Sequence, residues 1–197
     1  MDYICHDHIL LGKITMASDG EALTGLWYDD QAHFGSTLNP EYEEKEDLPV
    51  FDEAKRWMEL FFRQKEPDFT PKLNLRGTPF QQKVWNALLR IPFGEKITYG
   101  RLAARLHMPV IGARAVGNAV ARNPVAIIVP CHRVVRADND YGDYAGGRNR
   151  KYILLEIERL VAHSLPNMAA GYDIPPRVLE EYRRQKEAEA KEKEENE

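Results

Sequence analysis

The sequence predicts an α/β chain of the α+β kind, built as two lobes, with a sheet-bearing first lobe and a mainly helical second lobe. Three observations carry that prediction. Strand-like apolar runs fill the first 30 residues, helix-start signals fill residues 78–120, and the charge changes sign between them. Residues 1–75 hold 7 Lys+Arg against 16 Asp+Glu, whereas residues 76–159 hold 14 against 6, within a chain of 197 residues and net charge -4. The boundaries that follow are a first lobe over 1–75, a second over 76–163 and a charged extension over 164–197. A basic lobe on an acidic chain points to a polyanionic partner.

In chain order, Ile9 to Met16 and Ala22 to Tyr28 read as strands, and Ser18-Asp19-Gly20 between them is a hairpin signal. Pro40 to Pro49 is acidic and turn-rich, which suits a surface loop. Phe51, Ala54, Met58, Phe61 and Phe62 recur at helical spacing, so 51–62 reads as an amphipathic helix. Trp27, Tyr28, Trp57, Phe61 and Phe62 are expected in the core, and Pro67 to Leu75 as the linker.

The second lobe opens on Thr78-Pro79-Phe80-Gln81, which offers an N-cap, a proline at the first helical position and a capping-box glutamine. Pro92-Phe93-Gly94 ends that helix, and Thr98 caps the next, over Tyr99 to about His107. Met108 to Gly112 makes a turn, and Ala113 to Val120 a short helix that stops before Asn123-Pro124. Two helices joined by a short turn on a basic lobe form a helix-turn-helix pattern. The Ala- and Gly-rich second helix suits close approach to a groove, or close packing against another helix.

Val125-Ala-Ile-Ile-Val129 reads as a buried strand that delivers Pro130-Cys131-His132-Arg133 at its end. A thiol attacks only after losing its proton, and an adjacent imidazole can remove it. Glu158 offers a carboxylate to orient that imidazole. Cys131, His132 and Glu158 therefore read as an activated nucleophile. Cys5 and Cys131 lie in different contexts, which argues for free thiols in a reducing, intracellular compartment. No apolar stretch approaches the ~20 residues of a membrane helix, so no membrane partner is expected.

These residues carry a family resemblance. The matching stretches are Phe80-Gln-Gln-Lys-Val-Trp85, Ile91-Pro-Phe-Gly94, Thr98-Tyr-Gly100, Ala113-Arg-Ala-Val-Gly117, Asn123-Pro124, Ile128-Val-Pro-Cys-His-Arg-Val-Val135 and Tyr144-Ala-Gly-Gly147. In order, over about 76–160, they resemble the O6-alkylguanine-DNA alkyltransferases. The resemblance implies a ribonuclease-H-like first lobe and a winged-helix-like helix-turn-helix second lobe. It also implies DNA repair by direct reversal, in which an alkyl group passes once and irreversibly from O6-alkylguanine, or O4-alkylthymine, to Cys131. Base flipping in duplex DNA brings the lesion to the thiol.

By the same resemblance, Asn123 ties the turn to the active segment, while Tyr99, Val134, Tyr144, Ala145 and Gly146 meet the base. Arg114 fills the vacated stack, and Ala113, Gly117, Ala119 and Arg122 meet the minor groove. No cofactor and no metal are expected: some relatives hold a structural zinc in the first lobe, but Cys5-His6-Asp7-His8 lacks a second cysteine to complete such a site. The expected form is a monomer in the cytoplasm, or in the nucleus of a eukaryote. Asp138, Asp140 and Asp143 are expected to point away from DNA. A non-catalytic lesion binder and a Cys-His-Glu hydrolase are the competing functions.

Overall fold

The computed structural model describes residues 1–138 and 140–162, together with Glu180 and Arg184. Apart from the ion pair between those two, the charged extension expected over 164–197 lies outside the described residues.

A four-stranded sheet opens the chain, formed by β1 (Asp2–Ile9), β2 (Gly12–Ser18), β3 (Leu23–Tyr28) and β4 (Tyr42–Glu44) in the order β3-β2-β1-β4. The expected strand over 9–16 is corrected. Its first residue ends β1, and a two-residue turn at Leu10-Leu11 leads into β2, with Ile9 paired to Gly12. Gly12 takes φ 121, which a residue with a Cβ avoids. Two leucines give no turn signal, so the sequence hid this hairpin. The expected loop over 40–49 also contains structure, because β4 lies parallel to β1 at the sheet edge. The hairpin between β2 and β3 forms as the sequence predicts.

Helix α1 (Pro49–Phe62) begins with its proline in the first turn and buries Phe51, Ala54, Trp57, Met58 and Phe61. Its apolar stripe covers one face of the sheet. Trp27 packs on the other face with Ile4 and Ala17.

Helix α2 (Pro79–Leu88) carries both halves of the capping box, Gln81 N–H to Thr78 Oγ1 at 3.2 Å and Thr78 N–H to Gln81 Oε1 at 2.9 Å. Strand β5 (Ile97–Thr98) then leads into α3 (Tyr99–Arg105), capped by Thr98. A 3-10 turn over Val110–Gly112 precedes α4 (Ala113–Ala121). Strand β6 (Val134–Val135) pairs parallel with β5, and α5 (Arg148–Ala162) follows. No described helix is long and apolar enough to cross a membrane.

The run Val125–Val129 is buried as expected but is not a strand. Ile127 sits at φ 68, in the left-handed region, so side chains cannot alternate through it. Only Val125 bridges to β3, at Leu26. One apolar core joins the sheet, α1 and the second-lobe helices, running through Leu26, Phe61, Trp85, Val129 and Ile157. A buried carboxylate adds a polar tie, since Asp2 receives Arg76 Nη1 at 2.9 and 2.7 Å.

Removing the Thr78 hydroxyl leaves an orphan N–H in the first turn of α2. Thr78→Ala is expected to cost about 1 kcal/mol, read as a lower denaturant midpoint at unchanged m-value.

Candidate active site

Asn123 organises the segment that the sequence pattern misread. Its amide Nδ2 donates to Val125 O at 3.1 Å and Val129 O at 2.8 Å, while its Oδ1 accepts from Val125 N at 3.1 Å. One side chain thus satisfies backbone groups that a strand ladder would have paired. The same amide reaches Cys131 Sγ at 3.1 Å. The first lobe holds this segment from outside, Leu26 N–H donating to Pro124 O and Ala126 N–H to Leu26 O, both at 2.8 Å.

Cys131, His132 and Arg133 form a single 3-10 turn. That geometry sends neighbouring side chains apart. Cys131 faces a cavity, while His132 and Arg133 converge on Glu158 of α5. His132 Nε2 lies 2.8 Å from Glu158 Oε1. Arg133 chelates the same carboxylate, with Nε 3.0 Å from both oxygens and Nη2 2.9 Å from Oε1. Glu158 Oε2 also accepts Gly94 N–H at 3.0 Å. Arg133 Nη1 donates to Ile91 O at 2.5 Å, and its guanidinium lies 5.4 Å over the Phe93 ring. Sequence reasoning missed Arg133. Its place in the Cys-His-Arg run was the available signal.

The electrostatics follow from burial. Burial opposes ionisation of Glu158, but His132 and the Arg133 guanidinium overcome it and hold the carboxyl at about 2. Burial drives the His132 pKa below its ordinary value despite Glu158, so the imidazole rests neutral and able to accept a proton. His132 Nδ1 is buried and has no hydrogen-bond partner among the described residues. Burial also pushes the Cys131 thiol up, against the lowering influence of Asn123, Lys151 and Tyr144. At rest, then, the sulfur is a protonated thiol with a neutral base next to it in the chain.

The cavity in front of Cys131 measures about 870 Å³, a size that suits a flat heterocycle with part of its sugar. Tyr99, Ala113, Arg114, Gly117, Tyr144 and Ala145 all line it, so six of the expected residues share one space with Cys131. Burial, reinforced by Cys131, raises the Tyr99 phenol to about 12, which keeps it a hydrogen-bond donor. Gly146 lies behind the wall, where a Cβ would come within 2.7 Å of the Tyr28 ring and 2.8 Å of Tyr144. Val134 is buried, and its carbonyl receives Lys151 Nζ at 2.6 Å. Arg122 is exposed at the end of α4, away from the cavity lining.

Two expectations are corrected here. The resemblance puts Ala119 against the groove, but it is 3% exposed and its carbonyl accepts Trp85 Nε1–H at 2.8 Å. It packs α4 on α2. Asp143 was expected to point away, yet it lines the cavity, paired to Arg136 at 3.0 Å. The arginine offsets the charge that would otherwise repel a phosphate. Asp140 pairs with Arg148 and Arg136, and Asp138 accepts from Asp140 N–H. In the first lobe, Cys5 is buried while His6 and His8 face solvent, so β1 separates them across its two faces.

The sequence also missed a first-lobe contribution. Ala32 and His33 line the cavity, and Ala32 N–H bonds Ala145 O at 3.0 Å. His33 takes φ 63 in a loop with no motif to flag it.

Comparison with known proteins agrees with this geometry. Residues 79–160 match the family model described as the 6-O-methylguanine DNA methyltransferase, DNA binding domain. A methylated-DNA–protein-cysteine methyltransferase of Mycobacterium leprae is 43% identical over 151 residues, 76% of this chain and 87% of the relative. The chain belongs to this methyltransferase family. A constitutive member from Bacillus subtilis is 36% identical over 81% of this chain and 97% of its own. A crystal structure of Mycobacterium tuberculosis OGT in complex with DNA superposes with TM-score 0.72 at 39% identity, over 81% of this chain and 94% of that one. The α+β fold is therefore that of the family.

The Glu158 network makes stability depend on acid. The carboxyl pKa is lower folded than unfolded, so its contribution is complete above the ordinary carboxylate value and is lost as pH falls towards 2. Neutral, buried His132 acts in the same direction, because acid favours the unfolded chain that can protonate it. Glu158→Gln leaves Arg133 buried without its partner. It is expected to lose about 3–5 kcal/mol at pH 7, and the gap from wild type should narrow between about pH 4.5 and pH 2 in denaturation curves.

Proposed function

We propose that this chain repairs duplex DNA by taking the alkyl group of O6-alkylguanine onto Cys131. DNA repair by alkyl transfer to a cysteine is the activity of its family, and the enzyme acts as a methylated-DNA–protein-cysteine methyltransferase. The observation that carries the residue-level reading is the placement of Cys131 in the cavity that the exposed arginine of α4 also lines. A nucleotide rotated out of the helix beside Arg114 would meet the sulfur. An atom within the base stack would not.

His132 takes the thiol proton through solvent, and Glu158 stabilises the imidazolium that forms. The sulfur attacks the alkyl carbon, an S–C bond forms, and the C–O6 bond breaks in a single displacement. The bonding pair goes to guanine, which takes up at N1 or O6, through solvent, the proton left on His132, and Tyr99, which lines the same cavity, would donate a hydrogen bond to the leaving oxygen. The product is a thioether. No acyl carbon is present for water to attack, so the thiol is not regenerated and each molecule acts once.

Ala113 and Gly117 keep the surface of α4 low where it would enter the minor groove, and Arg114 would occupy the space left by the flipped base. The basic second lobe supports binding to phosphates. A monomer acting in a reducing intracellular compartment fits the free Cys5 and Cys131 thiols.

Exposure to O6-methylguanine duplex should add about 14 Da to the Cys131 peptide, one methyl for one hydrogen on sulfur. The total should reach no more than one equivalent per chain. Many equivalents, or a mass unchanged at Cys131, would refute the reading. Cys131→Ala should abolish transfer while DNA affinity stays within about twofold, because a buried thiol makes no phosphate contact. Arg114→Ala should slow duplex repair about tenfold or more, matching the few kcal/mol of unstacking, and leave reaction with free O6-benzylguanine unchanged. Equal losses on both substrates would remove the arginine from base extrusion.

A further inference from the structure

Lys151 on α5 is fully buried, with 0% of its surface open to solvent. Its ammonium donates to two main-chain carbonyls, Val134 O at 2.6 Å and Asp143 O at 3.1 Å. Among the described residues no carboxylate lies within ion-pair distance of it. The acidic groups of the neighbouring loop are engaged elsewhere, Asp143 with Arg136 and Asp140 with Arg148 and Arg136. A buried charge with only neutral partners is costly, and such charges are normally paired. The two carbonyls locate the ammonium. One belongs to the strand that leaves the Cys131 turn, the other to Asp143, which lines the Cys131 cavity.

We propose that Lys151 is the resident counter-cation of the Cys131 sulfur, a buried ammonium fixed on two carbonyls of the cavity wall and most fully charge-compensated while that sulfur is a thiolate. The proposal rests on Cys131 being the alkyl acceptor, and it answers a difficulty in that reading. The resting thiol is pushed up by burial, yet the displacement needs a thiolate. A cation already in place, in a dry site of low effective dielectric, stabilises that anion without reorganising at the moment of reaction.

The groups around the ammonium define its pH range. Burial lowers it to about 8, while Cys131, Asp143 and Asp140 favour its charge and Arg148 opposes it. Lys151 also disfavours protonation of His132. It is therefore charged at neutral pH and loses its charge as the pH passes about 8. The proton of the thiol still goes to His132, and Lys151 keeps its own. Once the S–C bond forms, sulfur is neutral and the ammonium is left with carbonyls alone.

The test follows the pH dependence of Cys131 carboxamidomethylation by iodoacetamide, measured on the Cys131 peptide by mass spectrometry. Lys151→Met should raise the midpoint by about one pH unit or more, and Lys151→Arg by less than half of that, since the charge is retained. A lower plateau with the midpoint in place would mean that Lys151 only braces the wall, and would overturn the proposal. Should Lys151→Met fail to fold, the wild-type chain decides. The Lys151 midpoint, read from its Cε carbon by NMR titration, should fall after Cys131 is carboxamidomethylated, and an unchanged midpoint would overturn the proposal. Methyl transfer from O6-methylguanine duplex to the wild type is scored separately. Loss of transfer with the midpoint shift intact would sink the repair reading and leave the counter-cation standing.

Discussion

A single buried carboxylate holds the reactive turn together. Glu158 sits on α5 and accepts from His132, Arg133 and the Gly94 amide, three groups from two separate stretches of chain. Had it been left to His132 alone, the carboxylate would favour a protonated imidazole, and a protonated imidazole cannot accept the thiol proton. Burial turns that balance towards the neutral ring, and Arg133 adds to it, because its permanent charge already meets the carboxylate in a two-pronged chelate. Glu158 is thereby ionised and occupied, His132 is oriented and neutral, and the base is ready before any ligand arrives. The Phe93 face and Ile91 carbonyl hold the guanidinium, so the ends of α2 and α5 share one polar anchor in an otherwise apolar core.

How far the sequence could be read depended on whether a residue's partners were local. The α2 capping box, the Thr98 cap and the stripe of α1 were legible because the groups that satisfy them lie within one or two turns. The hairpin at Leu10-Leu11 carried no turn chemistry, and β4 is a three-residue edge strand of exposed residues, so neither had a periodic signature. The Val125–Val129 run shows the opposite failure. Its apolarity reported burial correctly, but the backbone was satisfied by Asn123 and by β3, which no pattern over five residues can show.

The candidate site divided along the same line. Cys131 and His132 were visible as a motif, and Glu158 could be matched to them as a carboxylate one helix away. Ala119 was misplaced because Ala and Gly in α4 suit a groove and a helix interface equally. Only burial separates the two, and Ala119 is buried, with its carbonyl on the Trp85 indole. Arg133 and Lys151 read as ordinary members of a basic lobe, since the charge tally counts a buried cation and a surface cation alike.

The family match over 79–160 leaves out structure that the site uses. Ala32 bonds the active-site loop at Ala145, and Arg150 crosses from α5 to Asp30 at 2.7 Å, to Leu11 O at 2.9 Å and over the Tyr28 ring at 4.2 Å. The same guanidinium donates to Gly146 O at 2.9 Å. Gly146 therefore sits where the loop is fastened to the first-lobe sheet, and the Tyr28 ring leaves no room there for a Cβ. The loop that carries Tyr144 and Ala145 is set by the sheet as much as by α5. A first lobe that touches the cavity only at Ala32 and His33 thus controls its rear wall, through a buried arginine and an aromatic ring. Rigidity at that wall is what a displacement reaction needs, because the leaving oxygen must lie in line behind the carbon that the sulfur attacks.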